Sequence, residues 1–209
     1  RARPIFHSEA DFQHAIASEI HDHLQAYRIR LEYPKSPGQS NHLDILAFNS
    51  GDLFAIELKY KTRSLFIPFG KEIFWLKDQS AQDCGRYDFL KDVQRLEEFI
   101  SENPSARGYA ILLSNDSSYW TLPNNDSTVD GKFRLHEERL VHGVLSWGSR
   151  ASKGTTKSRE EAISLQGTYQ LAWQDYSEVA NVSNVKSYAR FNRFRCLCIE
   201  VTPGQEVTS

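Results

Sequence analysis

The chain has 209 residues, 25 Lys and Arg against 27 Asp and Glu, and a formal net charge of −2. That length fits one domain of ordinary size, and 40% apolar with 12% aromatic content excludes a disordered chain. The near-neutral balance excludes a polybasic protein that holds nucleic acid by charge alone, but not local basic patches. Cys84, Cys196 and Cys198 are too few for a disulfide framework, and Cys196-x-Cys198 lacks two further ligands of a zinc site. They read as buried reduced thiols in a reducing compartment. No apolar run approaches the roughly 20 residues of a membrane span, and no apolar stretch follows Arg1-Ala2-Arg3-Pro4 to make a secretory signal. The expectation is a cytoplasmic protein with no membrane partner.

Ser8 followed by Asp11 resembles a capping box and predicts a helix start. Phe12, Ile16, Ile20 and Leu24 continue it as an apolar stripe to about Tyr27. Residues 28–33 alternate polar and apolar and read as a strand, and 34–40 as a loop rich in Pro, Gly and Ser. Residues 43–48 and 53–61 are two β-rich runs around Asn49-Ser50-Gly51-Asp52, a hairpin signal. Residues 64–81 are ambiguous; Phe66, Phe69, Phe74 and Trp75 suggest a packed, lid-like segment. A second amphipathic helix spans 86–100 and is stopped by Asn103-Pro104-Ser105, and a short apolar strand spans 107–113. Further strands are expected near 132–136, 140–147, 168–173 and 188–201, with a polar loop over 148–161. With no linker between the halves, one domain is expected over 1–209. Its core is 8–113, and 114–209 is a β-rich addition to the same sheet.

Placing Ser50 and Gly51 at the centre of the turn opposes Leu46 to Ala55, Phe48 to Leu53, Asp44 to Glu57 and His42 to Lys59. Opposed residues share a face with Cβ atoms about 4.5–5.5 Å apart, and residues two apart share a face, so Lys59 and Lys61 join Glu57. Ile56, Leu58 and Tyr60 then point into the core. Two opposed carboxylates repel, which a purely structural hairpin avoids; a divalent cation between them reverses the sign. Mg²⁺ favours one or two carboxylates, waters and substrate phosphate. A lysine beside them can orient or deprotonate an attacking water or neutralise phosphate charge. Phe54-Ala55-Ile56-Glu57-Leu58 places the glutamate in an apolar strand, where a carboxylate needs a partner or a metal. The alternative is a hairpin whose Glu57 and Lys59 form surface ion pairs.

Asp44, a gap of twelve residues and Glu57-Leu58-Lys59 resemble the PD-(D/E)xK motif of the restriction-endonuclease-like nuclease superfamily. The αβββαβ order over about 8–113 resembles that superfamily's core, and Leu43 stands where the motif name has proline. The resemblance implies an α/β fold with a restriction-endonuclease-like αβββαβ core, a mixed sheet and additional C-terminal β-strands. It implies Asp44, Glu57 and the Leu58 carbonyl as ligands of Mg²⁺ or Mn²⁺, and Lys59 as the catalytic lysine. Glu9 matches an extra acid that many members place near the start of the first helix; its other reading is a first-turn acid that complements the helix dipole.

Gln82, Arg86 and Lys91 crowd the start of the second helix and are candidates for phosphate contact, Lys91 acting together with Arg95. The alternative is a solvated face with Asp88, Lys91, Asp92 and Arg95 pairing along the helix. Lys61 and Arg63 are basic beside the proposed site. Residues 186–195 carry Lys186, Arg190, Arg193 and Arg195 among Tyr188, Phe191 and Phe194 with no acid, a pattern suited to a nucleic-acid track or to a charged edge strand. His7, His14, His21 and His23 read as ordinary histidines. The functional expectation is a metal-dependent nuclease, DNA favoured over RNA, with a homodimer compatible with cutting both strands. The competing readings are a catalytically inactive nuclease-fold module that binds nucleic acid or a protein partner, and an unrelated domain that binds an acidic small ligand.

Overall fold

A computed structural model describes residues 3–34, 42–125, 127–179 and 191–203. They form α1 (Glu9–His23), β1 (Arg28–Pro34), β2 (His42–Phe48), β3 (Leu53–Lys61), β4 (Leu65–Phe69), β5 (Glu72–Leu76), α2 (Gln82–Glu102) and β6 (Ala106–Ser114), then β7 (Leu140–Leu145), α3 (Lys153–Thr156), β8 (Ile163–Gln170), β9 (Trp173–Glu178) and β10 (Arg193–Val201). The protein is a mixed α/β structure built on one six-stranded sheet, ordered β1-β2-β3-β6-β10-β9. β3 and β6 are parallel and the other neighbours are antiparallel. No helix among the described residues is long and apolar enough to cross a membrane.

The local signals act where they stand. Ser8 caps α1 through its hydroxyl, which accepts from the Asp11 amide at 3.1 Å. α1 ends at His23 instead of continuing to about Tyr27, and Leu24 is 45% exposed; its stripe buries only its first turns. The Asn49 carboxamide accepts from the Gly51 and Asp52 amides at 2.8 and 2.7 Å and closes the β2–β3 turn. Leu46 opposes Ala55 and Phe48 opposes Leu53. The segment 64–81 contains the β4–β5 hairpin, inserted between β3 and α2, with Gly70 at φ +63° in its two-residue turn.

The sheet divides the core in two. On one face, α2 and the β7–β8 ribbon pack through Leu90, Val93, Leu96, Leu165 and Tyr169 against Ala55, Ala110 and Leu112. On the other, Phe6, Phe12 and the hairpin residues Leu65, Ile67, Phe74 and Leu76 pack against Ile56, Leu58 and Tyr60. The second half of the chain departs from expectation. β9 and β10 extend the main sheet, whereas β7 and β8 form a separate two-stranded ribbon. Residues 131–133 are a 3₁₀ turn where a strand was expected over 132–136, with Phe133 fully buried. β8 begins at Ile163, earlier than expected, with a regular alternation of buried and exposed residues through Gly167. Gly167 is required there because a Cβ would meet the Tyr169 hydroxyl at 2.6 Å. Cys84, Cys196 and Cys198 are free thiols, but Cys198 is exposed and the other two are half-buried. Residues 186–190 of the expected basic track lie outside the described residues.

Candidate active site

The site forms where two strands part. β3 is paired with β6 along its whole length, from Leu53 to Lys61. On its other side the ladder to β2 stops at Ile45 opposite Ile56. Beyond that point, alternate amides of β3 and of the residue after it are taken by side chains. Asp44 Oδ2 accepts from the Leu58 amide at 2.6 Å, Glu9 Oε2 from the Tyr60 amide at 2.8 Å and Gln79 Oε1 from the Thr62 amide at 3.1 Å. A buried backbone N–H must find an acceptor, and three polar side chains replace the missing strand. Asp44 and Glu57 therefore do not form a ladder pair; Asp44 instead reaches the main chain one residue past Glu57.

The Asp44 backbone is held too. Gln13 of α1, 7% exposed, donates its carboxamide to the Asp44 carbonyl at 2.7 Å and to Glu32 Oε1 at 2.8 Å. Glu32 lies between Leu31 and Tyr33, which pair with Ile45 and Leu43, and so stands across from Asp44. Its φ is +49°, an uncommon left-handed conformation for a residue with a side chain. That local strain accompanies a third acid at the same level of the sheet.

Ile56, Leu58 and Tyr60 point toward α1 and the hairpin. Glu57 and Lys59 point the opposite way, toward α2. Lys59 Nζ lies 2.8 Å from Asp92 Oδ2 and donates to the Leu58 carbonyl at 3.2 Å. Arg95 sits one helical turn beyond Asp92, pairs with it, and places Nε 3.8 Å from Glu57 Oε1. Glu57 and Asp92 are each 2% exposed. Glu9, Asp44, Glu57 and Asp92 therefore set four carboxylates against two cations, Lys59 and Arg95. Burial pushes the Asp44 carboxyl up to about 6, against the Leu58 amide and the Lys59 charge that favour its ionised form, and Asp92 and Glu9 add to the rise. Burial works against the Lys59 ammonium, but Asp92, Glu9 and Asp44 outweigh it and hold Lys59 above the ordinary lysine value. These carboxylates favour the charged, hydrogen-bond-donating form of Lys59.

Most of the remaining candidates are engaged by other partners. Lys61 is half-buried, its Cε 3.6 Å from where a Cβ on Gly85 would sit. The Arg63 guanidinium lies 3.2 Å from Asp78 and 5.2 Å from the centre of the Phe191 ring. Gln82 donates to Asp116 at 2.9 Å. Arg86, a candidate for phosphate contact, lies in the interior: it is 3% exposed and donates to Asp130 at 2.7 Å and to the Ser118 carbonyl at 2.8 Å. Lys91 and Arg95 have different partners. Lys91 turns to Glu161 at 3.5 Å, while Arg95 turns inward to Asp92. Arg193 pairs with Asp175 at 2.6 Å, and Arg195 pairs with Glu137 at 2.9 Å and Asp175 at 3.1 Å. The described end of the basic track is therefore largely charge-compensated. Arg190 lies outside the described residues.

The alternative of a solvated helix face would leave Asp92 in water, yet its spacing carries the opposite signal. Phe89, Asp92 and Leu96 recur at three and four residues, so Asp92 occupies a core position of the α2 stripe. A carboxylate on a buried stripe requires a cation, and Lys59 and Arg95 supply the charge. Gln13 and Glu32 carried no comparable signal.

The donor atoms at the fork are oxygens: the Asp44 and Glu57 carboxylates and the Leu58 carbonyl. No three His, Cys, Asp or Glu side chains among the described residues come together closely enough to hold a metal by themselves. A hard cation that retains water and takes substrate oxygen suits such an all-oxygen set better than zinc, whose sites are mostly built with histidine or cysteine ligands. Comparison with protein-family models, curated proteins and solved structures finds no match to the chain.

Proposed function

We propose that the protein is a metal-dependent nuclease with a restriction-endonuclease-like core, hydrolysing phosphodiester bonds of nucleic acid, with DNA favoured over RNA. The observation that carries this reading is the fork between β2 and β3. It gathers Asp44, the Glu57-Leu58-Lys59 run and Glu9 at one strand end, with more negative than positive charge. Asp44, Glu57 and the Leu58 carbonyl would hold Mg²⁺ or Mn²⁺. When bound, the ion supplies Lewis-acid activation of the phosphodiester and of the attacking water. Asp44 is fixed at its backbone by Gln13 and at its carboxylate by the Leu58 amide. Lys59, kept protonated by Asp92, offers N–H donors to a phosphate oxygen and stabilises the charge that develops there. Glu9 adds negative potential at the same strand edge while holding the Tyr60 amide.

The test is incubation with single-stranded and duplex DNA and RNA in Mg²⁺, Mn²⁺ and EDTA. Metal-dependent cleavage lost in Asp44→Ala and Lys59→Ala is expected; cleavage that survives either change overturns the assignment. A second reading has its own support, the 2% exposure of Glu57 and its proximity to Arg95: a nuclease-fold module that binds nucleic acid without cutting it. Salt-dependent binding with no turnover in any metal would identify that case.

A further inference from the structure

The β4–β5 hairpin has one face that folding uses and one that it does not. Leu65, Ile67, Phe74 and Leu76 are buried against the core at 0–3% exposure. On the opposite face, Trp75 is 74% exposed, Ile73 62% and Phe66 39%. Phe66 and Trp75 are directly opposed across the ribbon, their rings edge-to-face with centroids 5.9 Å apart. Pro68 stands opposite Ile73 and extends the same surface. Large aromatic side chains left clustered in water mark a binding surface more often than a folding requirement.

The outward positions of this face carry positive charge and no negative charge. Lys71 in the turn and Lys77 at the root are exposed, and no acid occupies the outward positions 66, 68, 73, 75 and 77. Glu72 is turned away to His7 at 3.0 Å, and Asp78 lies 3.2 Å from Arg63. The hairpin is also anchored beside the candidate active site. Gln79 and Lys77 clasp Thr62 at the end of β3, two residues past the Tyr60 amide held by Glu9. His7 stacks on Phe74 at 4.2 Å, two residues before Glu9.

We infer that the outer face of the β4–β5 hairpin is a stacking platform for unpaired nucleobases, with Trp75 and Phe66 as the stacking groups and Lys71 and Lys77 tracking the phosphates. Flat aromatic surface combined with positive charge is the chemistry that binds single strands without reading sequence, whereas bases paired inside a duplex cannot reach these rings. The substrate class is therefore single-stranded nucleic acid, or a duplex with a frayed end. This deepens the nuclease reading and rests on it only for the step that follows binding.

The experiment measures anisotropy of a labelled oligothymidylate and of a duplex of equal length with the full chain in EDTA, where no cleavage proceeds. Trp75→Ala is expected to weaken single-strand binding about tenfold or more, Phe66→Ala to weaken it less, and Trp75→Phe to restore most of it; duplex binding changes little. Circular dichroism checks that the variants are folded, as the exposure of both side chains leads one to expect. Unchanged single-strand affinity in both alanine variants overturns the platform. So does a Trp75 dependence seen only in self-association by sedimentation, or only in binding to vesicles containing phosphatidylserine. Cleavage in Mn²⁺ is scored separately. Trp75-dependent binding without any cleavage upholds the platform and refutes the nuclease reading; cleavage and single-strand binding both indifferent to Trp75 do the reverse.

Discussion

Lys59 Nζ and Asp92 Oδ2 meet 2.8 Å apart between β3 and α2, with Asp92 2% exposed. The pair joins the sheet to the helix that packs on it, and it determines the character of the lysine. A lysine pKa held above its ordinary value keeps its stabilising ion pair at every pH below the unfolded value of about 10.4, and loses it only as the pH rises through the folded value. The charged form of Lys59 is thereby favoured, which suits the donor role proposed for it. Asp92→Ala leaves Lys59 half-buried with less compensation, and is expected to destabilise the protein by about 3–5 kcal/mol in urea unfolding. Asp92→Asn keeps the shape and removes the charge. It should lower cleavage roughly 10- to 100-fold, as loss of an orienting partner typically does, and introduce an alkaline limb in the pH profile as Lys59 becomes easier to deprotonate. A profile identical to that of the unaltered protein would show that Asp92 acts on folding alone.

Asp44 gives a pH dependence of opposite character to an ordinary surface carboxylate. Its folded pKa is raised to about 6, chiefly by burial, whereas the unfolded value is about 3.9. The native state binds the extra proton, so the contribution to stability is fully present below about pH 4 and is lost as the pH rises toward 6. Above pH 6 the ionised carboxylate costs on the order of 2–3 kcal/mol in the absence of a cation. Asp44→Asn is expected to be more stable than the unaltered protein at pH 7.5 without metal, and no more stable at pH 4. Mn²⁺ should raise the melting temperature of the unaltered protein more at pH 7.5 than at pH 5, and leave that of Asp44→Asn unchanged. Thermal unfolding with and without Mn²⁺ at each pH checks all of these outcomes.

Local chemistry made much of the first half readable. The Asn49 turn sets the register of Leu46 on Ala55, and the Ser8 hydroxyl starts α1, because both signals act over a few residues. Extending that register to Asp44 and Glu57 missed that the ladder ends at Ile45, since a strand's divergence depends on what competes for its amides. Glu9 and Gln79 compete successfully here from 51 and 17 residues away. The core role of Asp92 was visible as a stripe position, but helical i, i+3 pairing offered an equally local explanation. The β7–β8 ribbon could not be assigned to its own layer from alternation alone, because a strand pattern carries no record of which sheet it joins.

Glu9 distinguishes a helix-dipole acid from a structural acceptor. Its carboxylate accepts from the Tyr60 amide at 2.8 Å, so it replaces part of a missing strand in addition to lying in the first turn of α1. Glu9→Ala strands that amide and is expected to cost about 1–3 kcal/mol. Glu9→Gln preserves an acceptor oxygen and should recover most of that loss. If Glu9 acted only through the helix dipole, the two substitutions would cost the same few tenths to about 1 kcal/mol. Chemical denaturation of the two variants separates these cases, and a drop in cleavage in Glu9→Gln without loss of stability would locate a charge-dependent role at the fork.

Arg86 supplies the counterpart, a basic residue of the second helix that is buried among protein partners. It lies inside α2's packing, with Asp130 at 2.7 Å, the Ser118 carbonyl at 2.8 Å and the Tyr119 ring 5.3 Å away. Its helix neighbour Gly85 is held to that size because a Cβ would meet the Tyr119 hydroxyl at 2.3 Å. Burial draws the guanidinium below the ordinary arginine value, Arg134 adds to the fall, and Asp130 opposes it. Asp130→Ala removes that compensation and is expected to cost about 3–5 kcal/mol, while the affinity of the folded fraction for nucleic acid stays as it was. A binding change that reduces the salt slope by about one phosphate contact would instead return Arg86 to the nucleic-acid interface. Anisotropy titrations at several salt concentrations, run beside urea unfolding, decide between a cation that holds α2 to the loops after β6 and one that faces the substrate.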